Sequence, residues 1–365
     1  MKIADIETPA PLVDLDVLER NLDRVANYAT QHGIGLRPHV KTHKSVSVAR
    51  GQVSRGALGL TCATTKEAEV MAEVSDDILV AYPPVGAARL ARLMALPSRV
   101  RLMVALDSAE AIEALGAAAK AAGRPVRVLI ECDLGMHRVG VQTAAEAVRL
   151  AKLVQSLPPL EFAGVNFYPG HIRQEVNAQE ALLDQLKADI ASWLDAFKAA
   201  GIVPGIVSGG STPTAFRGHE IPGLTEIRPG TYVYNDREIM GIGLATPADC
   251  ALTVLATVVS TAVAGQAVVD AGTKALGREP LRIGTATGFG EVVGHPEVTV
   301  KGMSEEHGIL DLSASTWRPK VGDQVRIIPN HVCIVTHLND VVHGVRGDTV
   351  ETVWPIAARG RLAAV

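Results

Sequence analysis

Three basic residues and two histidines fall within eight positions at Arg37-Pro38-His39-Val40-Lys41-Thr42-His43-Lys44, directly behind the apolar run Gly33-Ile34-Gly35-Leu36. Cations grouped at the exit of a short apolar strand suit a negatively charged cofactor or substrate. A lysine crowded by positive charge gives up its proton more easily, and the neutral amine is the nucleophile that Schiff-base formation requires. A second group lies at Ser208-Gly209-Gly210-Ser211-Thr212. There, paired glycines let backbone N–H groups close around a phosphate while the flanking hydroxyls add donors. A third is His331-Val332-Cys333. On a strand, positions i and i+2 face the same side, so an imidazole and a thiolate can share one ion, with zinc as the natural fit. Taken alone, each group has an ordinary counterpart: a solvated basic loop, a turn, and a packed pair.

The elements that would position these groups follow from the apolar pattern. Eight β-rich runs precede residue 240: 35–41, 57–63, 78–84, 100–107, 126–133, 162–171, 206–212 and 225–232. Val126-Arg127-Val128-Leu129-Ile130 is nearly continuous in apolar residues, as a strand covered on both faces should be. Helix-like segments at 18–31, 109–122, 144–157 and 178–200 separate several of the runs. This alternation predicts an α/β fold, a (β/α)8 TIM-type barrel over residues 1–245. A doubly wound open sheet is the alternative. Helical patterns are expected to vanish after residue 245, leaving an antiparallel β-domain over 246–365, with His331 to Thr336 read as one of its strands. Active groups of such a barrel project from the carboxyl ends of its strands. Lys41 would end the first strand and Arg138 would follow the fifth. Tyr168-Pro169-Gly170-His171 would end the sixth, Ser208 to Thr212 the seventh, and Tyr232 would lie on the eighth. A lysine after strand one facing a phosphate loop after strand seven describes a site for pyridoxal 5'-phosphate.

Composition narrows the class further. The net charge of -4 and a pI near 6.3 give no general attraction to nucleic acid or to an anionic membrane. No run approaches the ~20 apolar residues of a membrane helix, and no secretory leader is visible at Met1 to Glu7. The four cysteines, Cys62, Cys132, Cys250 and Cys333, show no paired spacing. A reducing, cytoplasmic setting is expected.

These motifs together resemble the D-threonine aldolase and D-serine dehydratase group of fold-type III pyridoxal phosphate enzymes, which share the alanine racemase barrel. The resemblance is carried by Thr8-Pro9-Ala10, Arg37 to Lys44, Tyr168-x-Gly170, Ser208 to Thr212 and Pro229-Gly230-x-Tyr232. It continues through Asp270-Ala271-Gly272-x-Lys274 and Pro329-Asn330-His331-x-Cys333. It implies that Lys41 carries the cofactor, with His39, Arg138, Tyr168, Tyr232 and the loop Ser208, Gly209, Gly210, Ser211 and Thr212 around it. His331 and Cys333 would hold one divalent ion (Zn, Mn or Mg), and His171 would be a proton carrier beside Lys41. The implied activity is cleavage of D-3-hydroxy amino acids to glycine and an aldehyde. Dehydration of D-serine or D-3-hydroxyaspartate is the alternative, because Cys333 stands where some aldolases carry aspartate. Racemisation ranks third, since the C-terminal domain offers no second base, and a non-catalytic carrier would lack that domain. A homodimer acting on a small D-amino acid is the implied assembly.

Overall fold

A computed structural model of the chain describes residues 1–282 and 286–361. The chain begins outside the barrel. Strand β1 (Ala10–Asp14) leads into the helix Leu15–Gln31, whose first turn is capped by the Asp14 side chain accepting from the Val17 N–H. That cap satisfies one of the unpaired donors every helix start carries.

The α/β part is an eight-stranded parallel sheet. Its strands are β2 (Gly35–Leu36), β3 (Leu60–Cys62), β4 (Asp77–Val80), β5 (Arg101–Leu106), β6 (Val126–Cys132), β7 (Leu160–Phe167), β8 (Ile206–Gly209) and β9 (Glu226–Ile227). The order runs β2-β9-β8-β7-β6-β5-β4-β3. It closes into a barrel because His39 bridges Thr61 in parallel: the Thr61 N–H donates to the Pro38 carbonyl and the Val40 N–H to the Thr61 carbonyl. Both faces of the central strands are buried, which explains their unbroken apolar sequences. Helices expected at 18–31, 109–122, 144–157 and 178–200 appear as Leu15–Gln31, Ala109–Ala122, Ala144–Gln155 and Glu180–Ala199.

Two expectations about the elements need correction. The run 35–41 is strand only at Gly35–Leu36, so Lys41 sits five residues beyond the strand on an irregular segment. Pro38 interrupts the ladder there, since proline has no N–H to donate. Residues His331 to Thr336 are not a strand. Val332–Leu338 is an α-helix with His331 at its N-cap position. β-Branched residues suggested a strand, but Val332, Val335 and Thr336 are buried at helical spacing, and the Val332 N–H is held by the buried Asp236 carboxylate at 3.2 Å. Packing and that external cap override local preference.

The second sheet is antiparallel. Strands β10 (Leu252–Ser260), β11 (Gln266–Val269), β12 (Gly290–Val292), β13 (His295–Met303), β14 (Gly308–Asp311) and β15 (Gln324–Pro329) form a ring, because β10 pairs with both β15 and β11. Beyond the ring, β1 lies antiparallel to β10 and parallel to β16 (Val341–Arg346), which pairs with β17 (Thr349–Pro355). Residues 1–245 and 246–365 stand as the proposed division, with β1 crossing it. No described helix is long and apolar enough to cross a membrane.

Candidate active site

The basic octapeptide resolves into one free amine. Arg37 is buried between Asp77 at 2.6 Å and Glu226 at 2.9 Å. Lys44 is buried on Glu67, whose side chain is fully enclosed. His43 packs with Nε2 against Gln52 Oε1 at 3.2 Å and Nδ1 accepting from the Ser45 N–H, and burial draws its pKa down to about 3. Burial, then the charge of Lys41, holds His39 well below the ordinary imidazole value. Both histidines are therefore neutral near pH 7. Lys41 is half-buried and has no carboxylate partner among the described residues; its Nζ lies 5.5 Å from the Tyr168 ring centroid.

Lys41 opens into a cavity at the barrel mouth, lined by His39, Arg138, Tyr168 and two backbone segments, Gly210 to Pro213 and Gly230-Thr231. The first segment turns at Gly210, whose φ of +86° places it in the region that glycine favours. Thr212 Oγ1 accepts from the N–H groups of Gly230 and Tyr232 at 3.2 and 3.3 Å and ties the two segments together. At Gly230 a Cβ would meet Thr42 Oγ1 at 2.9 Å and the His39 carbonyl at 3.1 Å, so the cradle and the Lys41 segment touch only because that side chain is absent.

Three lining residues escaped the sequence reading. Arg228 is buried, donating from Nη2 to the Phe167 carbonyl at 2.8 Å and from Nη1 to Ser208 Oγ. Glu131 is buried at the end of β6, accepts from Asn166 Nδ2, and is raised by burial to about 7. Asn166 Oδ1 is buried without a partner. A glutamate closing the apolar run Val128-Leu129-Ile130 and an arginine directly before Pro229-Gly230 were the available signals.

Other expected residues sit elsewhere. Ser208 turns away from the cavity, its hydroxyl donating to Glu226 Oε1 at 2.6 Å. Gly209 is pressed against the Phe167 ring, leaving no access to the cavity. The buried Tyr232 hydroxyl accepts from Gln52 Nε2 at 3.1 Å behind the cradle. His171 packs its ring on Gly135, its buried Nδ1 has no hydrogen-bond partner, and it is not among the residues lining this cavity or the outer one.

The cavity continues outward into a second space bounded by His331, Cys333, Arg173, Glu238 and Arg282. His331 Nδ1 donates to Asp236 Oδ2 at 2.9 Å, and the same imidazole is hydrogen-bonded to the Cys333 side chain. The Cys333 Sγ lies 3.3 Å from Thr42 Oγ1. The Cys333 thiolate pushes the His331 imidazole far up. Burial would raise the thiol, but His331, Lys41 and Thr42 outweigh it and hold Cys333 below its ordinary value. Without an ion the pair is thus a thiolate beside an imidazolium braced by a carboxylate; displacing the imidazolium proton would give a zinc-like ion the ligand types and support it requires. No third His, Cys, Asp or Glu completes a metal group among the described residues. The other cysteines, Cys62, Cys132 and Cys250, are buried.

For pyridoxal phosphate the fit is equally direct. A lysine amine without a carboxylate partner, the glycine-turned segments Gly210 to Pro213 and Gly230-Thr231, a buried arginine and an unpartnered amide oxygen all line one cavity.

Fold and site define a barrel enzyme centred on a lysine, with a thiolate–imidazole pair brought over its mouth by an antiparallel β-domain. The chain belongs to the alanine racemase N-terminal domain family, which it matches over residues 13–238, and it matches the serine dehydratase domain over 251–345. It is 34% identical to 3-hydroxy-D-aspartate aldolase of Paracoccus denitrificans (strain Pd 1222), over 99% of this chain and 94% of that protein. The solved D-threonine aldolase of Filomicrobium marinum superposes with a TM-score of 0.90 at 33% identity, covering 98% of this chain and 96% of that one. A cysteine-to-alanine variant of D-threo-3-hydroxyaspartate dehydratase, solved in a metal-free form, superposes with a TM-score of 0.88 at 33% identity, over 97% and 98%.

Proposed function

We propose that this chain is a pyridoxal phosphate- and divalent-metal-dependent lyase that cleaves D-3-hydroxy amino acids to glycine and an aldehyde. One observation carries the reading: the cavity-facing Lys41 amine and the His331–Cys333 pair line one continuous cavity. Lys41 would hold the cofactor, Gly210 to Thr212 and Gly230-Thr231 would face its phosphate, and Arg228 would lie at the inner end. His331 and Cys333 would hold the ion. Bound there, the cofactor supplies an electron sink and the ion a Lewis acid.

The protein's own groups do the rest. Asp236 fixes the imidazole tautomer and its orientation. Tyr168, with Arg138 stacked 4.9 Å from its ring, closes one wall over Lys41. Released from the cofactor, the Lys41 amine lies where it can return a proton to the α-carbon. Glu238, raised by burial and lining the same space, is placed to take the β-hydroxyl proton.

The same constellation serves dehydration of a D-3-hydroxy amino acid, and the Cys333 thiolate, together with the likeness to a dehydratase whose cysteine-to-alanine variant is solved in a metal-free form, favours that second reading. Product analysis separates them. Glycine from D-threonine establishes cleavage, whereas 2-oxobutanoate from D-threonine or pyruvate from D-serine overturns it. A homodimer fits the exposed apolar residues Tyr82, Val85 and Val139 on the loops after β4 and β6, an arrangement common at interaction surfaces. Sedimentation at several concentrations tests it. Buried free cysteines without a disulfide support a cytoplasmic setting.

A further inference from the structure

Asn330, the residue directly before His331, is almost sealed, with 2% of its surface exposed. An amide side chain has a donor end and an acceptor end, and here each end meets only groups of the opposite kind. Oδ1 accepts from Arg237 Nη1 at 2.7 Å, and a guanidinium can only donate. Nδ2 donates to the carbonyls of Glu279 and Gly288 at 2.9 and 2.8 Å, and these can only accept. A carboxylate in its place would oppose two carbonyl oxygens, and an apolar side chain would leave the guanidinium and both carbonyls without this partner. Arg237 is itself buried. Its Nη2 donates to the Thr287 carbonyl at 3.2 Å, and its Nε lies 3.8 Å from Glu291.

The neighbour of each partner makes a second bond across the same junction. Asp236 is the N-cap of the short helix Arg237–Gly241, accepting from the Ile239 N–H at 3.1 Å. The same carboxylate accepts from His331 Nδ1 and from the Val332 N–H. Asp236 and Arg237 on one segment thus hold His331 and Asn330 on the other, and the Asn330 carbonyl accepts from the Glu238 N–H at 3.4 Å. A single bond between two segments leaves a pivot, and a second bond one residue away removes it. Without the Arg237–Asn330 bond, the segment carrying His331 could turn about Asp236. That turn would shift the imidazole against Cys333 and Glu238, which line the same space. Neither Asn330 nor Arg237 lines the inner or the outer cavity. Resting on the metal reading above, we infer that Asn330 and Arg237 are positioning residues for His331, holding its imidazole in the orientation the ion requires.

The test titrates the metal-stripped, pyridoxal phosphate-loaded protein with Mn2+ and reads the dissociation constant by competition with an indicator dye, alongside cofactor absorption and thermal unfolding. Arg237→Met keeps the stem of the side chain but no donor. It should weaken Mn2+ binding by about 10- to 100-fold, the range for losing a group that orients a ligating imidazole, with the cofactor absorption unchanged. Arg237→Lys keeps one donor group and should lose about 2- to 10-fold, the worth of one hydrogen bond, so that it binds Mn2+ more tightly than the methionine variant. It also carries the test should Arg237→Met fail to fold. In an Asp236→Asn background the imidazole is already released, so adding Arg237→Met should cost much less than it does in the wild type. Lower thermal stability with unchanged Mn2+ affinity would mark a purely structural bond and overturn the inference, as would losses that simply multiply in the double variant. His331→Ala separates this inference from the metal reading beneath it. Unchanged Mn2+ binding in His331→Ala would bring down both, whereas binding abolished there but unaltered in Arg237→Met would bring down the inference alone.

Discussion

At the scale of single residues, the two lysines of the basic run have opposite fates, and partner charge separates them. Lys44 neutralises a fully enclosed glutamate, whereas Lys41 has no carboxylate partner and faces the cavity. Lys41→Ala should fold normally yet abolish the absorption near the visible edge that the wild type shows with pyridoxal phosphate; a retained band would sink the assignment. Lys44→Met should instead cost about 3–5 kcal/mol in urea unfolding, because Glu67 is left buried and unpaired. Glu131 yields a pH prediction. Burial raises it from 4.5 to about 7, so the folded state binds the proton more tightly than the unfolded chain. Its contribution to stability is complete below about pH 4.5 and is lost as pH rises through 7. Glu131→Gln keeps a polar partner for Asn166 but cannot ionise. Relative to the wild type it should gain up to about 3 kcal/mol between pH 4.5 and pH 8 in the cofactor-free protein. A difference that does not change with pH would show that Glu131 titrates normally.

At the scale of elements, the helix Val332–Leu338 does what a strand was expected to do, by a different geometry. It presents Cys333 from its first turn and His331 from its N-cap, and Thr336 Oγ1 donates to the Thr42 carbonyl at 2.6 Å, next to Lys41. The His331–Cys333 pair and Lys41 are therefore mechanically linked. Stripping metal with a chelator should remove lyase activity and leave the cofactor absorption intact; activity surviving complete removal of metal would end the role given to His331 and Cys333. Asp236→Asn should weaken metal affinity by about 10- to 100-fold, the usual cost of losing the group that orients a ligating imidazole. The identities of this pair were legible because the motif is local. Its backbone was not, since the buried carboxylate that caps the helix lies 95 residues away in sequence. The same limit explains Tyr232, Ser208 and His171. Their types suit a site, but the strand ends and loop turns that aim them inward or outward are set by partners such as Glu226, Gln52 and Gly135, which no local pattern reveals. Helices with strong apolar periodicity came within a few residues of their observed ends, and strand edges at the barrel mouth did so least, where prolines and glycines break the ladders.

At the scale of the whole molecule, the two sheets are not independent beads on a string. Strand β1 precedes the barrel in sequence yet pairs with β10 on one side and β16 on the other. The helix that follows it packs Leu18, Leu22 and Val25 into the same apolar cluster as Val254, Ala256, Val342 and Trp354 from the β-domain. Cutting the chain after residue 245 would expose that face to water and leave both edges of β1 unpaired, an invitation to aggregate. It would also remove the helix whose Thr336 and Cys333 brace the segment next to Lys41. Residues 1–245 alone should therefore aggregate or unfold without a cooperative transition, and should not develop the cofactor absorption of the full chain. Co-expressing residues 246–365 as a separate polypeptide should restore part of both, because most of the missing contacts are non-covalent packing. A fragment ending at 245 that melts cooperatively as a monomer and binds pyridoxal phosphate like the intact protein would show that the barrel holds its own site, and that the β-domain contributes only the metal pair.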